Sequence, residues 1–161
     1  GWIRTGVNKP IATIASRTRV NLMGALNLES MQVTIGSYET IDSEAMVKYF
    51  DRLKAAYPKA TKIHLILDQG PYNISIVTRD AAKKRGIHLH YLPPYSPNLN
   101  PIERLWKVMN ERVRNNRVFE SAKEFRREIM NFFEITWPQI ARASTDRIND
   151  SFQRFNPTLS D

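Results

Sequence analysis

The 161-residue chain contains no cysteine. It therefore has no disulfide bond, thiolate zinc site or cysteine nucleophile, and this composition is compatible with an intracellular protein. No apolar run approaches the roughly 20 residues that a membrane-spanning helix needs, and the first residues show no signal-peptide pattern. We therefore expect a soluble protein with no membrane partner.

Three common catalytic signatures are also missing. The sequence has no Gly-rich phosphate loop, no HExxH pattern and no serine nucleophile elbow. These absences argue against a nucleotide hydrolase, a zinc protease and an esterase. The chemistry must be sought in other side chains.

The composition that is present is typical of one globular domain. Apolar residues make up 42% of the chain and charged residues 25%, which argues against a disordered or fibrous protein. The formal net charge of +8 attracts polyanions and makes nucleic acid the leading partner class. The alternative is a basic protein whose charge only keeps it in solution.

Hydrophobic patterning predicts strands that alternate with helices in a single α/β domain. Strands are expected at residues 11–15, 19–28, 33–35, 63–67 and 87–91. Helices are expected after Ser43 up to Pro58, at 74–85 before Gly86, from Pro101 onward, from Ser121 to a stop at Pro138, and at 140–155. The nearly continuous apolar run at 63–67 predicts a central strand covered on both faces.

Asp68 directly follows this central strand. It lies at the carboxyl end, where open α/β sheets commonly place their ligand sites. A binding or catalytic role competes with a simpler one, in which the carboxylate only caps a turn or the next helix.

Glu103 lies in the first turn of the helix that Asn100-Pro101 opens, where we place it at the third helical position. There it can complete a capping box with Asn100 and complement the helix dipole. At 100° per residue it also begins a polar stripe roughly 80° wide. The stripe consists of Glu103, Lys107, Asn110, Arg114 and Arg117.

This stripe has a functional and a structural interpretation. Its basic residues Lys107, Arg114 and Arg117 are candidates for tracking a phosphate backbone, with the carboxylate at the start holding a metal ion. Alternatively, the stripe is only the solvated face of a helix whose other side packs against the core.

Two carboxylates from a strand end and a helix start are the oxygen ligands that Mg²⁺ prefers, and a third acid usually joins them. His88 and His90 also have a spacing that permits metal binding. They alternate with apolar residues, however, and we interpret them as the polar face of a strand. We place His64 at the edge of the core.

Two segments carry a family resemblance: IHLILDQGP at residues 63–71 and YLPPYSPNLNPIERLW at residues 91–106. They closely resemble DDE transposases of the mariner superfamily, especially the bacterial insertion-sequence branch. The 34 residues between Asp68 and Glu103 match the family's separation between its second and third catalytic acids. The resemblance extends over nearly the whole chain.

The resemblance implies an RNase H-like α/β fold, a mixed sheet flanked by helices. It implies a transposase that uses Mg²⁺ or Mn²⁺ to cut duplex DNA at transposon ends and to transfer the freed strand into target DNA. Asp68 and Glu103 would be the second and third catalytic acids and metal ligands. The implied location is the bacterial cytoplasm, in association with the nucleoid.

The chain departs from the family pattern in two places. The family's first aspartate lies on a strand that should precede Gly1, so we expect residues 1–161 to be a fragment of the catalytic domain without that strand and without the N-terminal DNA-reading domain. The resulting gap would be filled by a missing segment, by strand exchange in a homodimer or by rearrangement. The second departure is Asn73, where many relatives carry histidine; we expect it to alter local contacts only.

Two other functions remain open from the sequence. The first is a catalytically inactive DNA-binding remnant of a transposase. The second is a basic α/β protein that binds RNA or another acidic partner. Divalent-metal binding distinguishes the transposase from the remnant, and the salt dependence of binding to duplex DNA and to RNA distinguishes the RNA-binding protein.

Overall fold

The chain forms a mixed sheet with helices on both faces in a computed structural model that describes residues 2–7, 11–12, 19–115 and 117–149. The strands are β1 (Trp2–Val7), β2 (Ile11–Ala12), β3 (Arg19–Asn27), β4 (Val33–Tyr38), β5 (Ile63–Leu67) and β6 (Ile87–Tyr91). The helices are α1 (Ser43–Ala56), α2 (Pro71–Ile74), α3 (Ile76–Lys84), α4 (Ile102–Arg114), α5 (Ala122–Asn131) and α6 (Trp137–Asn149). Parts of two expected elements, residues 13–15 and 150–155, lie outside the described residues.

β1 lies in the middle of the sheet. It pairs antiparallel with β3, with Gly6 opposite Gly24, and parallel with β5, with Ile3 opposite Leu65. β6 extends the sheet parallel to β5, while β2 and β4 both pair antiparallel with β3. The order along the sheet is β2-β3-β1-β5-β6, with β4 as a further partner of β3.

Residues 2–7 of the chain itself therefore occupy the place between β3 and β5, which corrects the expectation that the gap has to be filled by a missing segment or by another copy. Residues 2–7 supply the backbone groups that the facing edges of β3 and β5 need for hydrogen bonding. Strand exchange between copies is not needed to complete the described sheet. This segment contains no aspartate or glutamate, so it brings no third acid to the sheet.

The alternation of side chains along β5 decides which way the next residue faces. Ile63, Leu65 and Leu67 are buried against α1 and α3. The residues between them face the opposite side of the sheet, because successive strand side chains alternate. Continued by one residue, this alternation places Asp68 on the side opposite α1 and α3.

The helices α4, α5 and α6 pack on that opposite side and form the second half of the core. Trp106 of α4 lies so close to β3 that a Cβ atom at Gly24 would be 2.7 Å from its ring carbon Cη2. Trp137 at the start of α6 donates from Nε1 to the backbone oxygen of Met31 at 2.7 Å. The first contact holds α4, and with it Glu103, against β3, and the second holds α6 against the segment between β3 and β4.

Pro138 does not end the helix that starts after Ser121, contrary to the sequence prediction. A π-helical turn at Phe132–Thr136 joins α5 to α6, and Trp137 N–H donates to the oxygen of Phe132. The turn shifts the register of the hydrogen-bond ladder, and Pro138 falls in the first turn of α6, where a missing N–H is tolerated.

The helix expected at 74–85 is also interrupted, because Ser75 leaves the helical conformation between α2 and α3. Its side chain accepts a hydrogen bond from Thr78 N at 3.2 Å and caps α3. Gly86 follows α3 with φ of 68°, which confirms the expected left-handed end of that helix. No helix within the described ranges is long and apolar enough to cross a membrane.

Candidate active site

Asp68 is held by the turn that follows β5. Its Oδ1 accepts hydrogen bonds from Gly70 N at 2.9 Å and from Asn73 Nδ2 at 2.8 Å. The turn-capping interpretation is therefore correct for one carboxylate oxygen. The other oxygen, Oδ2, accepts no hydrogen bond from any residue that the structure describes.

Asn73 is a site residue whose importance the sequence did not reveal. It is 0% exposed, and its Nδ2 reaches the backbone oxygen of Asp68 at 3.2 Å as well as the carboxylate. Tyr91 donates from its hydroxyl to the backbone oxygen of Asn73 at 2.6 Å. The available signal was its place five residues after Asp68, where the family pattern has histidine.

Glu103 projects from the first turn of α4 and is exposed. The helix begins at Ile102, so Glu103 is its second residue and not its third as expected. Asn100 caps the helix, since its Oδ1 accepts from Ile102 N at 3.3 Å, while its own N–H donates to Pro97 O at 3.0 Å. The backbone N–H of Asn100 is thus already used by a carbonyl.

Asp68 and Glu103 line the same open cleft, which has a volume of about 440 Å³. The folded chain brings them together because the alternation of β5 turns Asp68 to the side on which α4 packs. The remaining lining residues are Gln69, Gly70, Pro93, Pro94, Tyr95, Ser96, Pro97 and Asn100.

Part of the cleft wall is a proline-rich loop that is hydrogen-bonded to the end of β5. Leu92 N donates to Leu67 O at 2.8 Å, and Gln69 Nε2 donates to Leu92 O at 3.0 Å. Pro93, Pro94 and Pro97 each fix a backbone φ angle and restrict the preceding residue. The cleft is therefore formed by short and conformationally restricted segments.

The negative charge of Asp68 affects the pKa of the neighbouring Tyr72 side chain. Burial, assisted by the carboxylate of Asp68, raises the pKa of Tyr72 to about 12. Tyr72 is therefore a neutral hydroxyl at physiological pH. Burial also raises the pKa of Tyr91, so that this hydroxyl stays a hydrogen-bond donor to Asn73.

The cleft presents oxygen donors suited to a hard divalent cation. Two carboxylates from separate elements, one with a free Oδ2, match the ligand chemistry of Mg²⁺ or Mn²⁺, with water and phosphate oxygens completing the shell. Within the described ranges, no group of three or more acidic, histidine or cysteine side chains is placed to hold a metal ion. The residues fit a cation but supply only part of its ligands.

The basic stripe predicted on α4 is not continuous. The helix ends at Arg114, so Arg117 lies outside it, 3.2 Å from Glu128 and over the ring of Phe119. Arg114 is partly buried with its guanidinium 5.3 Å from the ring centre of Phe125, and burial lowers its pKa. Lys107 remains exposed on α4.

Three histidines lie side by side on the sheet surface. His64 Nδ1 is 3.0 Å from His90 Nε2, and the His64 ring stacks on His88 with centroids 5.1 Å apart. His88 and His90 are exposed and His64 is half-buried, in agreement with a polar strand face and a position at the core edge.

The sequence profile described as DDE superfamily endonuclease matches residues 1–126. The chain belongs to this family. An uncharacterized 39 kDa protein of insertion element IS630 from Shigella sonnei is 28% identical over 138 residues, which are 85% of this chain and 40% of that protein. The Tc1 transposase of Caenorhabditis elegans is 31% identical over 87 residues, which are 54% of this chain and 30% of that protein.

Solved structures show the fold of this DDE family member. The catalytic domain of the Mos1 mariner transposase matches with a TM-score of 0.70 and 13% identity over 91% of this chain and 77% of that chain. The same domain with raltegravir and Mn gives a TM-score of 0.71 at 13% identity, over 91% of this chain and 78% of that chain. The predicted RNase H-like sheet flanked by helices is therefore confirmed. The chain spans less than half the length of the two curated relatives named above.

Proposed function

We propose that this chain is part of the catalytic domain of a DNA transposase, which cuts duplex DNA at transposon ends and joins the freed strand to target DNA. The observation that carries the proposal is the shared cleft of Asp68 and Glu103 in a member of the DDE superfamily. We assign both side chains as catalytic acids and metal ligands.

The residues of the cleft have distinct tasks in this reaction. Hydrogen bonds from Gly70 and Asn73 hold Oδ1 of Asp68, which leaves Oδ2 to bind a cation. Glu103 contributes its carboxylate from the first turn of α4. Asp68 and Glu103 would hold Mg²⁺ or Mn²⁺, which would activate the attacking oxygen and neutralise charge on the phosphate. Water is the first nucleophile and a DNA 3′-hydroxyl the second, so no side chain has to form a covalent intermediate.

The described residues supply two of the three acids that such a site uses. β1 contains none, and the chain spans 40% of the IS630 protein and 30% of the Tc1 transposase. We therefore propose that residues 1–161 are a fragment of the catalytic domain, and that the third acid comes from a segment outside this sequence.

The proposed partner is duplex DNA in the bacterial nucleoid. The net charge of +8 favours a polyanion, and Lys107 is exposed on the helix that carries Glu103. Arg117 is exposed and remains a candidate DNA contact, although its guanidinium lies over the Phe119 ring. The guanidinium of Arg114 lies over the Phe125 ring, so we expect the predicted DNA contact of Arg114 to be absent. A similar fold occurs in the Mos1 paired-end complex with a left transposon end, at a TM-score of 0.63 and 12% identity. We propose that this chain works as a homodimer.

One observation favours a second function. Because β1 lacks an acid at the centre of the sheet, the chain could be a DNA-binding remnant that no longer cuts. Such a remnant would bind DNA without any contribution from a metal at Asp68 and Glu103.

The test is stabilisation of the full 161-residue chain by Mn²⁺. At about ten times the dissociation constant, Mn²⁺ should raise the free energy of unfolding by about 1.4 kcal/mol. Asp68→Asn and Glu103→Gln should each abolish this increase, because each removes a charged ligand while keeping the side-chain shape. Asp146→Ala, at an exposed acid on α6, is the control and should keep it. Equal stabilisation of the unmodified chain and the three variants would rule out a metal site at Asp68 and Glu103 and would favour the inactive DNA-binding remnant.

A further inference from the structure

Tyr95 stands at the rim of the cleft with its side chain in solvent. Its relative exposure is 102%, the largest of any bulky apolar or aromatic residue that the structure describes as exposed. The residue lines the same cleft as Asp68 and Glu103. The ring therefore contributes nothing to the core but lies beside the proposed reaction site.

The backbone of Tyr95 is in a conformation that is unfavourable for a tyrosine. Its φ angle is 56°, in the left-handed region where a Cβ atom crowds the following carbonyl. Met31 has a similar φ of 61°, but its side chain is buried in the core and its carbonyl accepts the Trp137 hydrogen bond. No comparable packing within the described residues offsets the strain at Tyr95, and glycine would make the same turn without it.

The surrounding loop restricts where the ring can go. Pro94 precedes Tyr95, and Ser96 follows it with its Oγ donating to Pro94 O at 3.3 Å. Pro97 then opens a 3-10 turn in which Leu99 N donates to Ser96 O at 3.1 Å. The ring is thus presented to solvent by a stiff segment, which lowers the entropy cost of binding a ligand there.

We propose that Tyr95 is a stacking platform for an unpaired base of the DNA strand whose phosphate lies between Asp68 and Glu103. This inference rests on the proposed function. An exposed aromatic ring beside a phosphate site is the arrangement by which proteins hold single-stranded nucleic acid, because every base has a face on which it can stack. The positive net charge of the chain favours such a polyanion over an apolar protein partner.

The test compares two DNA probes bound to the full 161-residue chain. One is a blunt duplex, and the other carries a single unpaired 2-aminopurine at its 3′ end. Tyr95→Asn removes the ring but keeps a residue that tolerates positive φ, whereas Tyr95→Phe keeps the ring. Asn98→Ala is the control, since Asn98 is exposed in the same loop and does not line the cleft.

Tyr95→Asn should weaken binding of the overhang probe about fivefold or more and should abolish the quenching of 2-aminopurine fluorescence. Its affinity for the blunt duplex should stay within about twofold, because phosphate contacts set that affinity. Tyr95→Phe and Asn98→Ala should behave as the unmodified chain.

Three results would overturn the stacking platform: no effect of Tyr95→Asn, equal weakening of both probes, or loss of quenching in Tyr95→Phe. If the chain binds DNA and only these comparisons fail, the proposed transposase function stands. If the unmodified chain binds neither probe, both proposals fail together.

Discussion

Asn73 Nδ2 lies 2.8 Å from Asp68 Oδ1, and the same amide reaches the backbone oxygen of Asp68 at 3.2 Å. A buried side chain on α2 therefore fixes both the turn after β5 and the direction of its carboxylate. Because Oδ1 is held in this way, Oδ2 is the atom left to face a ligand. The contact links the folding of the turn to the proposed chemistry.

Asn73→Asp should make stability fall as pH rises. The substitution places two carboxylates at hydrogen-bond distance, and like charges that close raise the folded-state pKa of the pair. The folded-state pKa is then higher than the unfolded-state pKa of about 3.9. Stability is therefore retained below about pH 3.9 and is lost as pH rises towards and through the folded-state pKa. Urea unfolding between pH 5 and 8 measures the effect. Asn98→Asp, on the surface, should show no such loss, and parallel profiles for the two variants would contradict the prediction.

Trp106 and Gly24 should be energetically coupled. Trp106→Ala should destabilise the protein by about 3–5 kcal/mol, because the residue is only 4% exposed. Gly24→Ala should cost about 1–3 kcal/mol, because its Cβ would lie 2.7 Å from the Trp106 ring. In a double-mutant cycle measured by denaturant unfolding, the second substitution should cost much less once the ring is gone. If the two destabilisations simply add, the close approach of the Gly24 position to the Trp106 ring makes no contribution to the free energy of unfolding.

Lys107 and Arg114 should differ in their effects on DNA binding. Lys107→Ala should reduce the slope of log affinity against log salt by about 0.9, the change expected when one phosphate is no longer neutralised. Arg114→Ala should leave the slope unchanged and lower stability, because its guanidinium packs over Phe125. Binding to duplex DNA at several salt concentrations, together with thermal unfolding, separates the two effects. An equal reduction of the slope in both variants would show that Lys107 and Arg114 both contact phosphate, as the predicted basic stripe requires.

His64 should make the protein less stable in mild acid. Desolvation and then the neighbouring His88 and His90 lower its pKa below the ordinary value of about 6.5. The unfolded chain therefore binds more protons, so stability is lost as pH falls through 6.5 and the loss stops below the folded-state pKa. Denaturation midpoints between pH 5 and 7.5 measure this, and His64→Gln should flatten the profile. An unchanged profile in this variant would assign the pH dependence to other groups.

The local elements of the fold could be predicted because their signals lie within a few residues. β5 was expected at 63–67 and found there, since a short apolar run bounded by polar residues is enough to specify a buried strand. Gly86 ends α3 as expected, because its φ angle is positive and a Cβ atom there would lie 2.8 Å from the backbone oxygen of Thr61. Pro138 was misinterpreted, because a π-helical turn depends on packing that no local pattern encodes.

Side-chain roles on α4 show where local reasoning stops. A helical projection placed Arg114 and Arg117 on a solvent-facing stripe, but it could not foresee that Asn115 ends the helix. Nor could it foresee that the ring of Phe125 in α5 would pack against Arg114, or that the ring of Phe119 would pack against Arg117. Side chains beyond the end of the helix, which a helical projection leaves out, decide whether a charged side chain is free to contact DNA.

The sequence by itself determined the two candidate acids, their family spacing and the strand and helix that carry them, since these follow from local pattern and covalent order. Only the tertiary structure decided that Asp68 and Glu103 share a cleft, that β1 fills the centre of the sheet and that Asn73 holds one carboxylate oxygen. These facts depend on which face of the sheet each helix covers, and burial of the whole core sets that choice.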